Sequence, residues 1–313
     1  MAHFNPELLK QLIEVRGTSG DEENIKNFIL DYIEKNKAKW KSEVEIYTGE
    51  GFQDAIVLVF GQPKTAVFAH IDTIGFTSNY DSNLIKIGGP KTIDGMKLVG
   101  KDSQGEIETE LMIIEDEEGN KQLKYVFDRD IDRGTNLSFK PNFILTDQFV
   151  QSPYLDNRLG VLNALTIAED LENGAIVFST YEEHGGGSVG FLGRFLYDKY
   201  NLRQALISDI TWVTNGVQHD GGVAISMRDK AIPRRSYLNR IISIAEKHKV
   251  KYQLEVESAG GSDGSMLQNT DLPFDWCFIG APEDNVHSPK ERVFLNDIEE
   301  MIKLYKVLMK EMN

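Results

Sequence analysis

Five short stretches of the sequence carry side chains able to hold a metal ion or move a proton. His70-Ile71-Asp72 closes the apolar run Thr65-Ala66-Val67-Phe68-Ala69. Side chains two apart on a strand share a face, so His70 and Asp72 can act together, the carboxylate steering the imidazole of a metal-binding histidine. Asp156 stands in Tyr154-Leu155-Asp156-Asn157-Arg158-Leu159-Gly160, just ahead of a helical pattern. Glu182-Glu183 follows an apolar run and precedes Gly185-Gly186-Gly187. Adjacent carboxylates at a strand end are costly without a cation. Their directions also differ, so one can bind metal while its neighbour faces a carbonyl under attack. Asp209 closes Ala205-Leu206-Ile207-Ser208, and His287 lies in the loop Asn285-Val286-His287-Ser288-Pro289-Lys290-Glu291.

Each stretch has a plainer reading: a strand-end histidine bonded to a carbonyl, an acid in the first turn of a helix, a solvated acidic loop, or a surface histidine. Jointly they place two histidines, three carboxylates and a spare glutamate at strand ends or in adjoining loops, where open α/β sheets bind ligands. Nitrogen and oxygen donors without sulfur suit Zn²⁺, Co²⁺ or Mn²⁺. Five ligands suit two ions sharing a carboxylate better than one ion. Two other chemistries fit less well. Gly185–Gly190 matches G-x-G-x-x-G, with Asp209 downstream, but Glu182 and Glu183 would repel a pyrophosphate. The same two glutamates are adjacent in sequence, so they cannot flank a glycosidic bond from opposite sides.

The elements that must position these residues follow from periodicity. Ser19-Gly20-Asp21-Glu22 reads as a capping box ahead of a helix carrying Ile25, Phe28, Ile29, Tyr32 and Ile33 at helical spacing. Strands are expected at Val44–Tyr47, Ala55–Phe60 and Thr65–Ala69, the last two apolar throughout, as in strands buried on both faces. From Ile74 to about Ser152 the pattern predicts short strands, glycine turns and no amphipathic helix, with an exposed hairpin tip at 115–120. Helix and strand then alternate: Val161–Leu171 helical, Ala175–Thr180 strand, Phe191–Tyr200 helical, Ala205–Ser208 strand, Tyr237–His248 helical, Tyr252–Val256 and Phe274–Ile279 strands. A last helix near Asp297–Met312 carries Ile298, Met301, Ile302, Tyr305 and Met309 on one face. The expected fold is α/β: a mixed sheet flanked by helices, formed by 1–73 plus 153–313, with a small β domain inserted at 74–152.

Composition narrows the class. The 313 residues include 34 basic and 49 acidic side chains, a net charge of −15. That excess argues against a nucleic-acid partner. A hydrophobic fraction of 41% is ample for a packed core. No apolar run approaches the roughly 18 residues of a membrane span, and Cys277 stands alone, which excludes an internal disulfide and a zinc site built from cysteines. The N-terminus MAHFNPELLKQ has no apolar signal region, so a cytoplasmic enzyme is expected.

Taken in order, the segments 69–76, 155–160, 182–183, 208–209, 260–263 and 286–288 resemble the tetrahedral (TET) co-catalytic metallo-aminopeptidases, which include glutamyl, leucyl and deblocking enzymes. The resemblance implies that His70 and Asp209 bind one metal, Glu183 and His287 the other, and that Asp156 bridges them. It further implies Glu182 as general base, Asp72 as the carboxylate orienting His70, and a site-shaping loop at Gly260–Asp263. Two divalent ions per chain, most simply zinc, would then activate a water that attacks the N-terminal peptide bond of short peptides. The insertion would build a homo-oligomer, from dimer to dodecamer. The family usually follows its paired glutamates with a Val-Gly step, where this chain has His184 and three glycines. A related di-zinc deacylase or carboxypeptidase, or a catalytically silent scaffold of the same fold, would carry similar residues.

Overall fold

The computed structural model describes residues 4–115 and 117–313. Its centre is an eleven-stranded mixed sheet. Strand Thr65–His70 runs parallel to Gly174–Ser179 on one side and to Gln204–Trp212 on the other, and Gln204–Trp212 runs parallel to Asp275–Asp284. Four neighbouring strands therefore send their carboxyl ends to one edge. The antiparallel strands Glu45–Gly49 and Gln53–Phe60 extend the sheet at one side; Glu291–Phe294, Phe149–Ser152 and Ile144–Leu145 extend it at the other.

The apolar runs follow from helices packed on both faces. Ile56, Leu58, Phe60, Val67 and Ala69 face one core, with helices Glu23–Asn36, Leu155–Ala168 and Leu295–Glu311. The alternate residues Ala55, Val57, Val59, Ala66 and Phe68 face a second core, with helix Val189–Tyr200. Both faces are dry, so both sets of side chains are apolar. Helix Leu155–Ala168 is buried along its whole length, which explains its weak amphipathic signal; it starts earlier and ends sooner than the expected Val161–Leu171.

Between Gly75 and Phe139 six strands form a separate sheet in the order Leu84–Ile87, Gly75–Ser78, Asn136–Phe139, Lys97–Asp102, Gly105–Glu115, Lys121–Val126. An isolated bridge between Asn83 and Lys124 links its two edges, so the sheet curls nearly closed. Phe76, Leu98, Ile107, Leu111, Leu137 and Phe139 fill its interior. Of the expected hairpin tip, Asp116 lies outside the described residues; the flanking strands pair antiparallel. This second sheet ends before the expected boundary at 152, because Phe149–Ser152 pairs with Glu291–Phe294 in the large sheet.

Two local expectations need correction. Glu22, at the start of helix Glu23–Asn36, makes no side-chain cap, so Ser19–Glu22 is not a capping box. Ser19 donates instead to Asp72 at 2.5 Å, and Glu22 accepts from the Tyr181 amide at 3.3 Å. The strand expected to end at Ser208 continues to Trp212, which puts Asp209 inside it. Helices Pro6–Glu14 and Asp263–Gln268 and strands Val223–Arg228 and Glu291–Phe294 were not evident from the pattern; the short ones carry too few residues for a period to show. Among the described residues, no helix is long and apolar enough to cross a membrane.

Candidate metal centre

The parallel strands deliver the side chains singled out above to one place. His70 ends Thr65–His70, and its register partner Ser179 ends the neighbouring strand, immediately before the turn that carries Glu182 and Glu183. Asp209 comes from the next strand on the other side of His70. Asp156 comes from the first turn of helix Leu155–Ala168. His287 comes from the loop joining Asp275–Asp284 to Glu291–Phe294, with a left-handed backbone at φ 63°.

Around His70, Nε2 lies 3.2 Å from Asp156 Oδ1, 3.6 Å from Asp209 Oδ2 and 4.0 Å from Glu182 Oε2. Around His287, Nε2 lies 3.1 Å from Glu183 Oε2 and 3.4 Å from Asp156 Oδ2. Two groups of donors result, His70–Asp156–Asp209 and Asp156–Glu183–His287, each with its donor atoms within 4.8 Å of one another. Asp156 belongs to both and turns one oxygen to each histidine.

Asp72 does more than its position beside His70 suggested. Its carboxylate lies 3.5 Å from His70 Nδ1, and the same two oxygens accept the backbone amides of Glu182 at 3.0 Å and Glu183 at 3.1 Å. One buried carboxylate thus fixes the imidazole and the glutamate turn together. Tyr181, ahead of that turn, takes a left-handed conformation at φ 63°, which swings the chain sharply out of the strand. Beneath, the fully buried Arg158 donates to the Ile71 carbonyl at 2.5 Å and to the Val15 carbonyl at 3.1 Å, pinning the segment between His70 and Asp72.

The second sheet reaches the cluster through Gly88-Gly89, and no pattern in the sequence signalled this. Gly88 has φ +67°; a β-carbon there would lie 3.1 Å from the Glu183 carbonyl oxygen and 2.8 Å from Ile74. At Gly89 it would lie 3.2 Å from His287 Nδ1. A side chain at either position would crowd the cluster, and at Gly88 the positive φ is also one that glycine adopts at least cost. His184, the departure from the family pattern, accepts the Gly88 amide on Nδ1 at 3.2 Å, so it ties the glycine-rich loop to the second sheet. Gly260 and Gly261 line the adjoining cavity, while Asp263 is buried and accepts the hydroxyl of Ser179. Ser262 caps helix Asp263–Gln268.

Electrostatically the cluster is short of positive charge. Burial pushes the Glu183 carboxyl up to about 7, with Asp156 adding to the rise. Burial likewise raises Asp209 and Glu182 well above the carboxylate range, each reinforced by neighbouring acids. Burial opposes charge on His287, yet Asp156 and Glu183 push it up to about 11. His70 is also raised, against its burial, by Asp209, Asp156 and Asp72. Among the described residues, only histidines form ion pairs with Asp156, Glu183 or Asp209, and Glu183 Oε1 is buried with no hydrogen-bond partner. Acids gathered in this way must either take up protons or meet a cation, and their raised carboxyl groups show how costly the fully ionised, metal-free cluster would be. Imidazole and carboxylate donors fit a borderline divalent ion, so the residues present fit the metals that the sequence implied.

A mixed α/β fold, a curled β sheet beside it and two donor groups sharing one aspartate are an arrangement that suits a metal-dependent hydrolase. The family model described as M42 glutamyl aminopeptidase matches residues 86–304, and the chain belongs to this family of metal-dependent aminopeptidases, which hydrolyse peptide bonds. A protein of Acetivibrio thermocellus that carries the name aminopeptidase is 26% identical over 331 residues, covering 95% of this chain and 96% of its own. The chain superposes on an aminopeptidase from the archaeon Desulfurococcus kamchatkensis with a TM-score of 0.83 at 21% identity, over 97% of this chain and 94% of the other. A Pyrococcus horikoshii TET1 peptidase, which can assemble into a tetrahedron or a large octahedral shell, gives a TM-score of 0.77 at 22% identity, over 97% and 98%.

Proposed function

We propose that this aminopeptidase removes N-terminal residues from short peptides with two divalent cations, most simply zinc. His70 and Asp209 would hold one cation, Glu183 and His287 the other, and Asp156 both. The observation that carries this reading is the placement of Asp156, which offers a separate oxygen to each donor group. Bound cations supply Lewis acidity that polarises the scissile carbonyl and makes water a nucleophile near neutral pH.

The chain's own residues do the rest. Glu182 faces the cluster 4.0 Å from His70 Nε2 without belonging to either donor group, which leaves its carboxylate free to accept the proton of the attacking water. The same carboxyl then returns that proton to the departing amine, and Asp72 holds both His70 and the Glu182 backbone in register throughout. The restriction to N-terminal residues follows if the free α-amine of the substrate is held at the second donor group. We also propose that the chain works as a homo-oligomer, with the sheet at 75–139 serving assembly and access; antiparallel edges need covering, and a symmetric partner is a common cover.

Metal analysis of active protein, combined with a panel of aminoacyl, N-acyl and C-terminal peptide substrates, tests the chemistry. About two transition-metal ions per chain and turnover of the aminoacyl substrates are expected. Full activity after chelation, or turnover confined to N-acyl or C-terminal substrates, overturns the reading. Light scattering tests the assembly: a strictly monomeric active enzyme removes the oligomer from the proposal.

A further inference from the structure

Ser19-Gly20-Asp21-Glu22 forms no capping box, and its place in the fold is beneath the candidate metal centre. The segment is stitched to the strand end that carries Asp72. The Thr73 amide donates to the Gly17 carbonyl at 2.9 Å, and the Ser19 amide to the Thr73 carbonyl at 3.1 Å. Glu22 then opens helix Glu23–Asn36, whose Ile25, Ile29 and Ile33 are fully buried, so its side chain projects from a fixed platform. Glu22 itself is 0% exposed. Its Oε1 accepts the Tyr181 amide at 3.3 Å, while Oε2 has no hydrogen-bond partner among the described residues. Burial pushes the carboxyl up to about 7, with Asp72 adding to the rise. Packing alone would be served as well by an apolar side chain of the same size, at none of this cost.

The geometry of the glutamate turn supplies a reason. Tyr181 is where the chain leaves the strand, left-handed at φ 63° and ψ 19°, and Glu182–His184 follow as a single helical turn. A bulky residue keeps such a backbone only when its surroundings hold it there. This succession of conformations turns the amides of Tyr181, Glu182 and Glu183 to one side, where two buried carboxylates meet them. Glu22 takes the first, and Asp72 takes the second and third at 3.0 and 3.1 Å. Asp72 thus fixes where the two glutamates sit, and Glu22 fixes the pivot about which they swing.

We propose that Glu22 is a positioning residue for the reaction: by holding the Tyr181 amide it keeps Tyr181 left-handed and so aims the Glu182 carboxylate at the attacking water. The work is done by an acceptor oxygen in a fixed place, which the neutral amide of glutamine also offers. The assignment rests on the aminopeptidase reading above, with Glu182 as the base, and the experiment separates the two.

Glu22→Gln keeps an acceptor at the Oε1 position, whereas Glu22→Met keeps the volume and removes it. Both full-length variants and the wild type are loaded with zinc and assayed with the aminoacyl-p-nitroanilide that the wild type turns over fastest. Glu22→Met should lower kcat about tenfold or more, as a misplaced catalytic group does. Its KM should stay within about twofold and its metal content unchanged, because the donors and Asp72 remain. Glu22→Gln should keep kcat within about threefold. Hydrogen exchange at residues 181–183, followed by mass spectrometry, reads the turn without turnover: it should quicken about fivefold or more in Glu22→Met and stay slow in Glu22→Gln. Ile33→Val, about three turns along the same helix, trims the core and should change neither kcat nor this exchange. A wild-type kcat in Glu22→Met, an equal fall in Gln and Met, or metal lost in step with kcat overturns the positioning role and leaves the aminopeptidase reading standing. An equal fall in Ile33→Val does the same, since any defect in the core would then suffice. No turnover of any aminoacyl substrate by the wild type overturns both. Should Glu22→Met not fold, Glu22→Ala, which removes the acceptor without adding bulk, is judged by the same outcomes.

Discussion

On the curled six-stranded sheet each of three acids has a cation alongside, Glu108 and Glu110 at the surface and Asp102 with its side chain covered. Glu110 pairs with Lys97 across neighbouring strands, Lys140 reaches Glu108 at 2.6 Å, and Arg129 grips Asp102 at 2.5 Å. At the carboxyl edge of the large sheet, Asp156, Glu183 and Asp209 are gathered with only two histidines for company. The first arrangement is complete as it stands, and its exposed pairs, Lys97–Glu110 and Lys140–Glu108, are worth little in stability. The second lacks such partners among the described residues, which fits the proposed cation site: strand ends, a helix turn and one clamping aspartate hold the acids together. Pairing also sets the pKa of each group. Arg129 holds Asp102 well below the carboxylate range, whereas burial among like charges lifts Glu183 to about 7.

The contrast breaks most severely at Asp156. Asp156→Ala removes the oxygen that each donor group takes from the shared residue, so both should fail together. Metal content should fall from about two ions per chain toward zero, and kcat/KM by roughly 10³-fold or more. Loss of a single ion with the other retained would show that Asp156 serves one group only.

Next come the adjacent glutamates, which the geometry separates: Glu183 Oε2 lies 3.1 Å from His287, and Glu182 belongs to neither donor group. Glu182→Gln keeps shape and loses the base, so metal content should persist while kcat drops roughly 10²-fold or more. Glu183→Gln should instead lose metal. Elemental analysis of the two purified variants checks this; equal metal loss in both would reverse the assignment of the base.

Why the sequence made this cluster visible, and where it stopped, is also a matter of the two regions. The strands under the site are buried on both faces, so their apolar runs and the acids or histidines that interrupt them stand out. His70 and Asp209, in such strands, and Glu182-Glu183, just past one, could therefore be found; Asp156, in a helix's first turn, and His287, in a loop, stood out only as parts of the ordered set, and the structure brings all of them together. What stayed hidden depends on contacts distant in sequence. Ser19 and Glu22 obey a local capping pattern, yet they bond to Asp72 and Tyr181, far along the chain. Gly88 and His184 gain meaning only when the curled sheet folds against the glutamate turn. Strand Gln204–Trp212 overran its expected end because Thr211 and Trp212 pair with Pro282 and Glu283, a partnership no local period encodes.

Asp72 sharpens the comparison, since it is a buried acid whose partners are all present. Asp72→Asn keeps the volume but replaces one acceptor oxygen with a donor, which cannot receive both glutamate amides and also favours the wrong orientation at His70. A change of roughly 10- to 100-fold in metal affinity or activity is expected, smaller than for Asp156 because no donor atom is removed. A metal titration followed by activity checks this. An unchanged affinity and rate would mean that the backbone alone fixes the turn.

The smallest effect belongs to the curled sheet. Lys97 and Glu110 face each other on neighbouring strands, and both side chains are about half exposed, at 54% and 50%. Two long side chains held in one geometry lose rotamer freedom that offsets most of their attraction, and salt screens the remainder. Lys97→Ala should therefore change unfolding free energy by less than about 1 kcal/mol and leave kcat/KM and metal content where they were. Urea denaturation at low and high salt, run beside the aminoacyl assay, makes the measurement. A loss of metal or activity in this variant would mean that the pair communicates with the cluster through the Gly88 contact, and that the curled sheet contributes to the chemistry as well as to access.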